Sequence, residues 1–149
     1  MKRFLSLCFI FFFGLVSAQQ TEHVDFKKIK ADISFDKSSE VFGEVSVRFK
    51  TLKDTDSVYL DATAMDFKKM ELRNLTKDLE EPAVYRAGAD KILIFNKFKE
   101  NTDYTLRFSY VAQPKKALYF VADQIWTQGQ GKYTSNWLPS IDDMNDKIE

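Results

Sequence analysis

Cysteine is nearly missing from this 149-residue chain, and its one copy, Cys8, lies inside an apolar run near the amino terminus. Histidine also occurs once, as His23. Zinc sites are built from several Cys, His or acidic ligands in set patterns, and neither a Cys cluster nor an HExxH pair can be assembled here. Ser-His-Asp chemistry would have to recruit His23 from the polar stretch 19–25, where a lone imidazole reads as solvated. Glycine (5) and proline (3) are scarce, which excludes collagen-like and low-complexity chains, and no glycine-rich loop is present to cradle a phosphate. Charge of one sign is absent as well, since 22 Lys+Arg balance 22 Asp+Glu. Without a basic cluster there is no electrostatic footing for phosphate, so nucleic acid is excluded as a partner. The neighbouring acids Asp142, Asp143 and Asp146 read as a solvated face rather than as paired glycosidase carboxylates.

What the chain does have is aromatic surface, 15% Phe, Tyr and Trp, and 44% apolar residues overall, a globular composition. Lys2 and Arg3 precede an apolar run from Phe4 to Val16, and Val16-Ser17-Ala18 supplies the small residues that signal peptidase accepts. Residues 1–18 therefore read as a signal peptide cleaved before Gln19. The run is shorter than the ~20 residues of a membrane-spanning helix. Export is expected, to periplasm, cell surface or medium, with no stable membrane anchor. Lys2 and Arg3 leave with the leader, so residues 19–149 carry 20 basic and 22 acidic groups and no cysteine. An exported domain of this kind holds together by its core alone. Its length is sufficient for one self-supporting domain.

Along that domain the hydrophobic period is two. Ile29, Ala31, Ile33 and Phe35 alternate with Lys28, Lys30, Asp32 and Ser34, and Val41, Gly43, Val45, Val47 and Phe49 alternate with Glu44, Ser46, Arg48 and Lys50. The two runs flank a polar turn and predict an antiparallel pair. Gly43 inside the second run marks a bulge or a close approach. A short strand is expected over Ser57–Ala62. Met65, Phe67, Met70 and Leu72 fit either two strand pieces joined by a bulge or one helical turn. Residues 74–82 read as loop. Val84–Ala87 and Lys91–Phe95 read as a hairpin across Gly88-Ala89-Asp90, and Tyr104, Leu106, Phe108, Tyr110 and Ala112 mark the clearest strand. Turns recur about every 8–12 residues, the spacing of an all-β fold, sandwich-like or saddle-like, made of antiparallel sheets. After Pro114 the alternation breaks. Ala117–Val121 suits one more strand, whereas Ile125-Trp126-Thr127-Gln128-Gly129-Gln130-Gly131 sets two amides around a glycine, where backbone can approach another group closely. Ile148-Glu149 has the look of a further strand opening.

Three stretches resemble the amino-terminal domain of zinc aminopeptidases of the aminopeptidase N family, the leukotriene hydrolase branch included. They are Val41–Phe49 with its inset glycine, followed by the Leu60-Asp61 strand end; Leu118-Tyr119-Phe120 followed by Thr127-Gln128-Gly129-Gln130; and Pro139-x-x-Asp142 with Lys147 five residues on. The resemblance implies a saddle-shaped β domain at 19–149 that stops at or near the boundary with a catalytic zinc domain. It further implies that the whole enzyme removes amino-terminal residues from peptides, with zinc as cofactor on ligands outside this chain, and that this chain alone is inactive. By motif, Gln130 faces the α-ammonium of the peptide substrate, Gln128 shapes the first side-chain pocket, and Gly129 lets the backbone pass. An amide carbonyl accepts a hydrogen bond from an ammonium, less strongly than the Glu that is commoner at the Gln130 position. The partners so implied are the peptide amino terminus and the chain's own catalytic domain. A reading of a different class is a free-standing secreted β-sandwich that binds glycan or protein through Trp126, Tyr133 and Trp137. Asp142 is expected to tie down its own loop.

Overall fold

The computed structural model describes residues 20–36, 39–128, 133–142 and 148. The signal-peptide reading of 1–18, Gly129 and Gln130, and Lys147 and Glu149 lie outside the described residues. The architecture is all-β, as the period-two pattern predicts. The described residues form ten strands in order: β1 (Val24–Phe35), β2 (Val41–Thr51), β3 (Thr55–Asp61), β4 (Met65–Asn74), β5 (Leu79–Pro82), β6 (Val84–Ala87), β7 (Lys91–Phe98), β8 (Thr102–Ala112), β9 (Leu118–Val121) and β10 (Gln124–Thr127). They form a five-stranded sheet ordered β1-β2-β8-β4-β5, a three-stranded sheet ordered β3-β7-β6, and the β9–β10 hairpin. Every pairing is antiparallel.

The core lies between the first two sheets. Phe26, Val47, Phe49 and Leu106 of the larger sheet meet Val58, Leu60 and Ile94 of the smaller one. Phe49 anchors the aromatic part, its ring 5.6 Å from Tyr104, 5.8 Å from Phe26 and 5.8 Å from Phe98. Such ring contacts add to the large apolar area these side chains bury. Lys28, Lys30, Asp32, Glu44, Arg48 and Arg107 occupy the opposite, solvated face, the alternation of a one-sided sheet.

Two expectations are corrected. The polar stretch is structured from Gln20 onward, before the first expected strand: Gln20–Glu22 form a 3-10 turn, and β1 begins at Val24, with Val24 and Phe26 buried. The register of β1 against β2 shifts between Phe26 and Lys28. That bulge moves the inward residues from even to odd numbers, so the pattern that starts at Ile29 conceals the two inward residues before it. The stretch 74–82 is not all loop either, because Leu79–Pro82 pair with β4 as β5. All four β5 residues are exposed, so no apolar alternation marks it.

The ambiguity at Met65–Leu72 resolves as a single strand with a bulge between Lys68 and Glu71, where Lys69 has φ 47°. A lysine in the left-handed region carries a strain that glycine avoids. Lys69→Gly is expected to stabilise the chain by roughly 0.5–1 kcal/mol, read as a raised urea midpoint; a lowered midpoint would contradict this account of the bulge. Gly43 is the close approach that its position predicts. It stands opposite Tyr110 on the core face, and the Tyr110 ring covers the place where a side chain would sit.

Candidate functional site

The segment singled out from the sequence leaves the end of β10. Trp126 pairs with Tyr119 and Thr127 with Leu118, and the ladder continues one step further, the Gln128 N–H donating to the Ala117 carbonyl at 2.8 Å. Because side chains alternate, Tyr119, Trp126 and Gln128 share one face of the hairpin. The Tyr119 and Trp126 rings stack at 4.7 Å, and the Tyr119 hydroxyl makes a long 3.5 Å contact to Gln128 Oε1. On the other face Phe120 packs edge-on to Phe35 at 5.9 Å, and buried Leu118 enters the core. The hairpin is thus seated by one face and displays the other: Trp126 is 50% exposed, and Gln128 is exposed beside it. Its entry is sharp, since buried Ala117 adopts φ 66°.

The chain is described again from Tyr133, and that side is held more firmly. A 3-10 turn at Thr134–Asn136 places the Ser135 carbonyl to accept the Thr63 N–H at 2.7 Å. Tyr110, inside the core, donates its hydroxyl to the Trp137 carbonyl at 2.7 Å. Burial pushes the Tyr110 phenol well above its ordinary pKa and keeps it a neutral donor. Beyond it Ser140 forms a two-bond bridge with Asp61 at the end of β3, at 2.8 and 2.9 Å. The Asp61 carboxylate accepts the Asp142 N–H at 2.8 Å and pairs with Lys91 Nζ at 3.0 Å. Asp142 in turn accepts from the Ser135 hydroxyl at 3.2 Å and the Ser140 hydroxyl at 3.0 Å. Lys91 also sits 3.9 Å above the Tyr59 ring. Its partial burial opposes the charge, yet the hydrogen bond and charge of Asp61 outweigh that, and its pKa stands above the ordinary lysine value.

Gln128 lies at the mouth of the hairpin, whereas Gly129 and Gln130 lie outside the described residues. The Asp142 carboxylate ties down its own loop through Ser135 and Ser140, as expected, and its N–H joins that loop to β3. Of the three aromatics considered as a binding platform, Trp126 and Tyr133 are exposed, and Trp137 packs against the core. The Asp61–Lys91–Ser135–Ser140 part of the clamp has no signature in the sequence. Leu60-Asp61 stood out only as a strand end, and nothing in local pattern links residues eighty positions apart. Among the described residues, no three His, Cys, Asp or Glu side chains are gathered to hold a metal ion. A cavity of about 490 Å³ opens on the solvated face of the larger sheet, lined by Asp32, Phe42, Glu44, Lys68 and Ser109, and does not include the hairpin.

With this geometry in hand, comparison with solved structures is informative about fold. The M1 zinc metallopeptidase of Deinococcus radiodurans superposes with a TM-score of 0.72 at 12% identity, over 85% of this chain and 31% of that one. Leukotriene A4 hydrolase of Saccharomyces cerevisiae gives 0.68 at 16% identity, over 92% of this chain and 26% of that one. Aminopeptidase A of Legionella pneumophila gives 0.64 at 12%, over 79% and 14%. The fold is that of the amino-terminal domain region of M1 zinc metallopeptidases. The chain spans about a third or less of the length of these proteins. No family model and no curated protein matches the sequence.

Proposed function

We propose that this chain is the amino-terminal domain of an exported zinc aminopeptidase and that its 128–130 loop anchors the free amino terminus of a peptide substrate. The observation that carries the reading is the pairing of that M1-type fold with an amide-bearing segment fixed on both sides, by the β10 ladder at Gln128 and by the Asp61–Asp142 clamp after Tyr133. A side chain at the end of a paired strand, as Gln128 is, is ordered before substrate arrives, which lowers the cost of binding. Gln130 supplies a carbonyl acceptor to the α-ammonium; Gln128, steadied by Tyr119, borders the first side-chain pocket. On this reading zinc is held by ligands elsewhere in the enzyme, and the part played by this chain is binding and orientation.

The test begins with the coding frame beyond Glu149, which should contain HExxH and a downstream glutamate. In the complete enzyme, Gln130→Ala is expected to lower kcat/KM for free-amino-terminal peptides about 10–100-fold, the loss of a hydrogen bond to a charged group. Acetylated peptides, already poor, should change little. A variant that keeps its full preference for free over acetylated amino termini would remove the anchoring role.

A further inference from the structure

The two outer edges of the β3-β7-β6 sheet are finished in opposite ways. On β3 the outward backbone groups belong to Ser57, Tyr59 and Asp61, and each set is taken. Thr55 Oγ1 donates to the Ser57 carbonyl at 3.1 Å. The Gln20 amide acts as a miniature strand: its Nε2 donates to the Tyr59 carbonyl at 2.9 Å, and its Oε1 accepts the Tyr59 N–H at 2.6 Å. Ser140 serves Asp61. Parity then fixes the far edge. Val58 and Leu60 must turn their groups to Ile94 and Ile92, so Leu93 and Phe95 turn theirs to Arg86 and Val84. Tyr85 and Ala87 are left pointing outward. Ala83, next in that row, gives its N–H to the Met70 carbonyl at 2.9 Å, whereas among the described residues the outward backbone groups of Tyr85 and Ala87 have no partner. Every β6 side chain is exposed, Val84 to 68%.

An unpaired edge is a template for another extended chain. A second copy suits it badly. Antiparallel self-pairing that uses both free residues sets Tyr85 against Ala87 and Ala87 against Tyr85, which brings Arg86 directly opposite its own copy. Like charges in that position repel. Arg86 lies 5.7 Å from the Phe95 ring centre and makes no salt bridge among the described residues. We infer that the β6 edge docks an extended segment of a partner protein with an apolar–acidic–apolar pattern, its acid opposite Arg86 and its backbone paired with Tyr85 and Ala87.

The test uses the chain with two labelled peptides, Thr-Val-Glu-Val-Thr and Thr-Val-Lys-Val-Thr, blocked at both ends, at low ionic strength. The Glu peptide should bind several-fold more tightly than the Lys peptide and slow hydrogen exchange at the Tyr85 and Ala87 amides. Ala87→Pro removes one outward donor and leaves the β6–β7 ladder intact, as proline on a free edge does; it should weaken binding about tenfold. Arg86→Glu should invert the preference between the peptides, and this variant keeps the test decisive if Ala87→Pro misfolds. Equal binding of both peptides, or none at millimolar concentration, overturns the proposal. So does a dimer in the peptide-free sample, which would assign the edge to a second copy. Slow exchange of both amides in a peptide-free monomer would assign it to the chain itself, with the same consequence.

Discussion

Gly43→Ala is expected to destabilise the chain by about 2–4 kcal/mol, lowering the urea midpoint by roughly 1–2 M. The backbone at Gly43 is ordinary extended strand, so the cost is steric. A methyl group there would lie 2.6 Å from Tyr110 Cζ and 2.8 Å from its hydroxyl oxygen, and closer still to Cε1. The ring has nowhere to go. Tyr110 is buried between Phe67, at 6.3 Å, and Phe108, at 6.4 Å, and its hydroxyl is held by the Trp137 carbonyl. Moving it breaks that bond and leaves a buried phenol without an acceptor, a cost beyond simple overpacking. The arrangement is an aromatic ring lying over a cross-strand glycine, which restores the packing that glycine alone would forfeit. Coupling identifies the cause: in a Tyr110→Leu background the same Gly43→Ala change should cost less than half as much. An unchanged midpoint for the single variant would mean that the ring does not pin the segment that follows the loop.

That contact also shows how far the sequence could be read. Gly43 in an alternating run signals a close approach, but not that Tyr110, sixty-seven positions later, makes it. The strands with one apolar face were legible because burial and period coincide: Val41–Thr51 and Thr102–Ala112 needed only one or two residues added at their ends. Where the coincidence fails, the reading fails. The bulge at Lys27 swaps the inward parity, so Val24 and Phe26 fell outside the pattern. β5 has no buried face at all; its existence is decided by the pairing of Leu79, Glu80, Glu81 and Pro82 with Asn74, Arg73, Leu72 and Glu71 of β4. The candidate site divides the same way. Gln128 is named from the motif alone, and the structure adds that it ends the β10 ladder. The clamp that fixes the far side joins Asp61 to Asp142 and Lys91 by tertiary contact alone, and local chemistry does not announce which of 22 acids will meet a half-buried N–H.

The clamp makes the second large prediction. Asp61→Ala is expected to cost about 2–3 kcal/mol, because the Asp142 N–H loses its acceptor and Lys91 loses its carboxylate in a half-buried setting. Asp61→Asn separates the two losses. Asparagine keeps an oxygen for the Asp142 N–H and gives up only the ion pair, and Lys91 is exposed enough that water screens much of that pair; most of the stability should return. The pH dependence has a definite sign. Folding raises the Lys91 pKa above 10.5, so its contribution is complete below that value and is lost as pH climbs through the folded pKa. Asp61→Ala should flatten this alkaline decline while leaving neutral-pH behaviour uniformly weaker. The link to function lies in where the loosening occurs. Amide exchange should quicken at Ser140 and Asp142, the residues that β3 holds, and leave the Trp126–Tyr119 hairpin unchanged, since its ladder is independent of the clamp. On the proposed reading, the variant in the complete enzyme should lose affinity for peptide more than turnover. If Asp61→Ala leaves exchange at Ser140 and Asp142 unaltered, the segment is held by Tyr110 and the core alone, and the clamp has no part in fixing it.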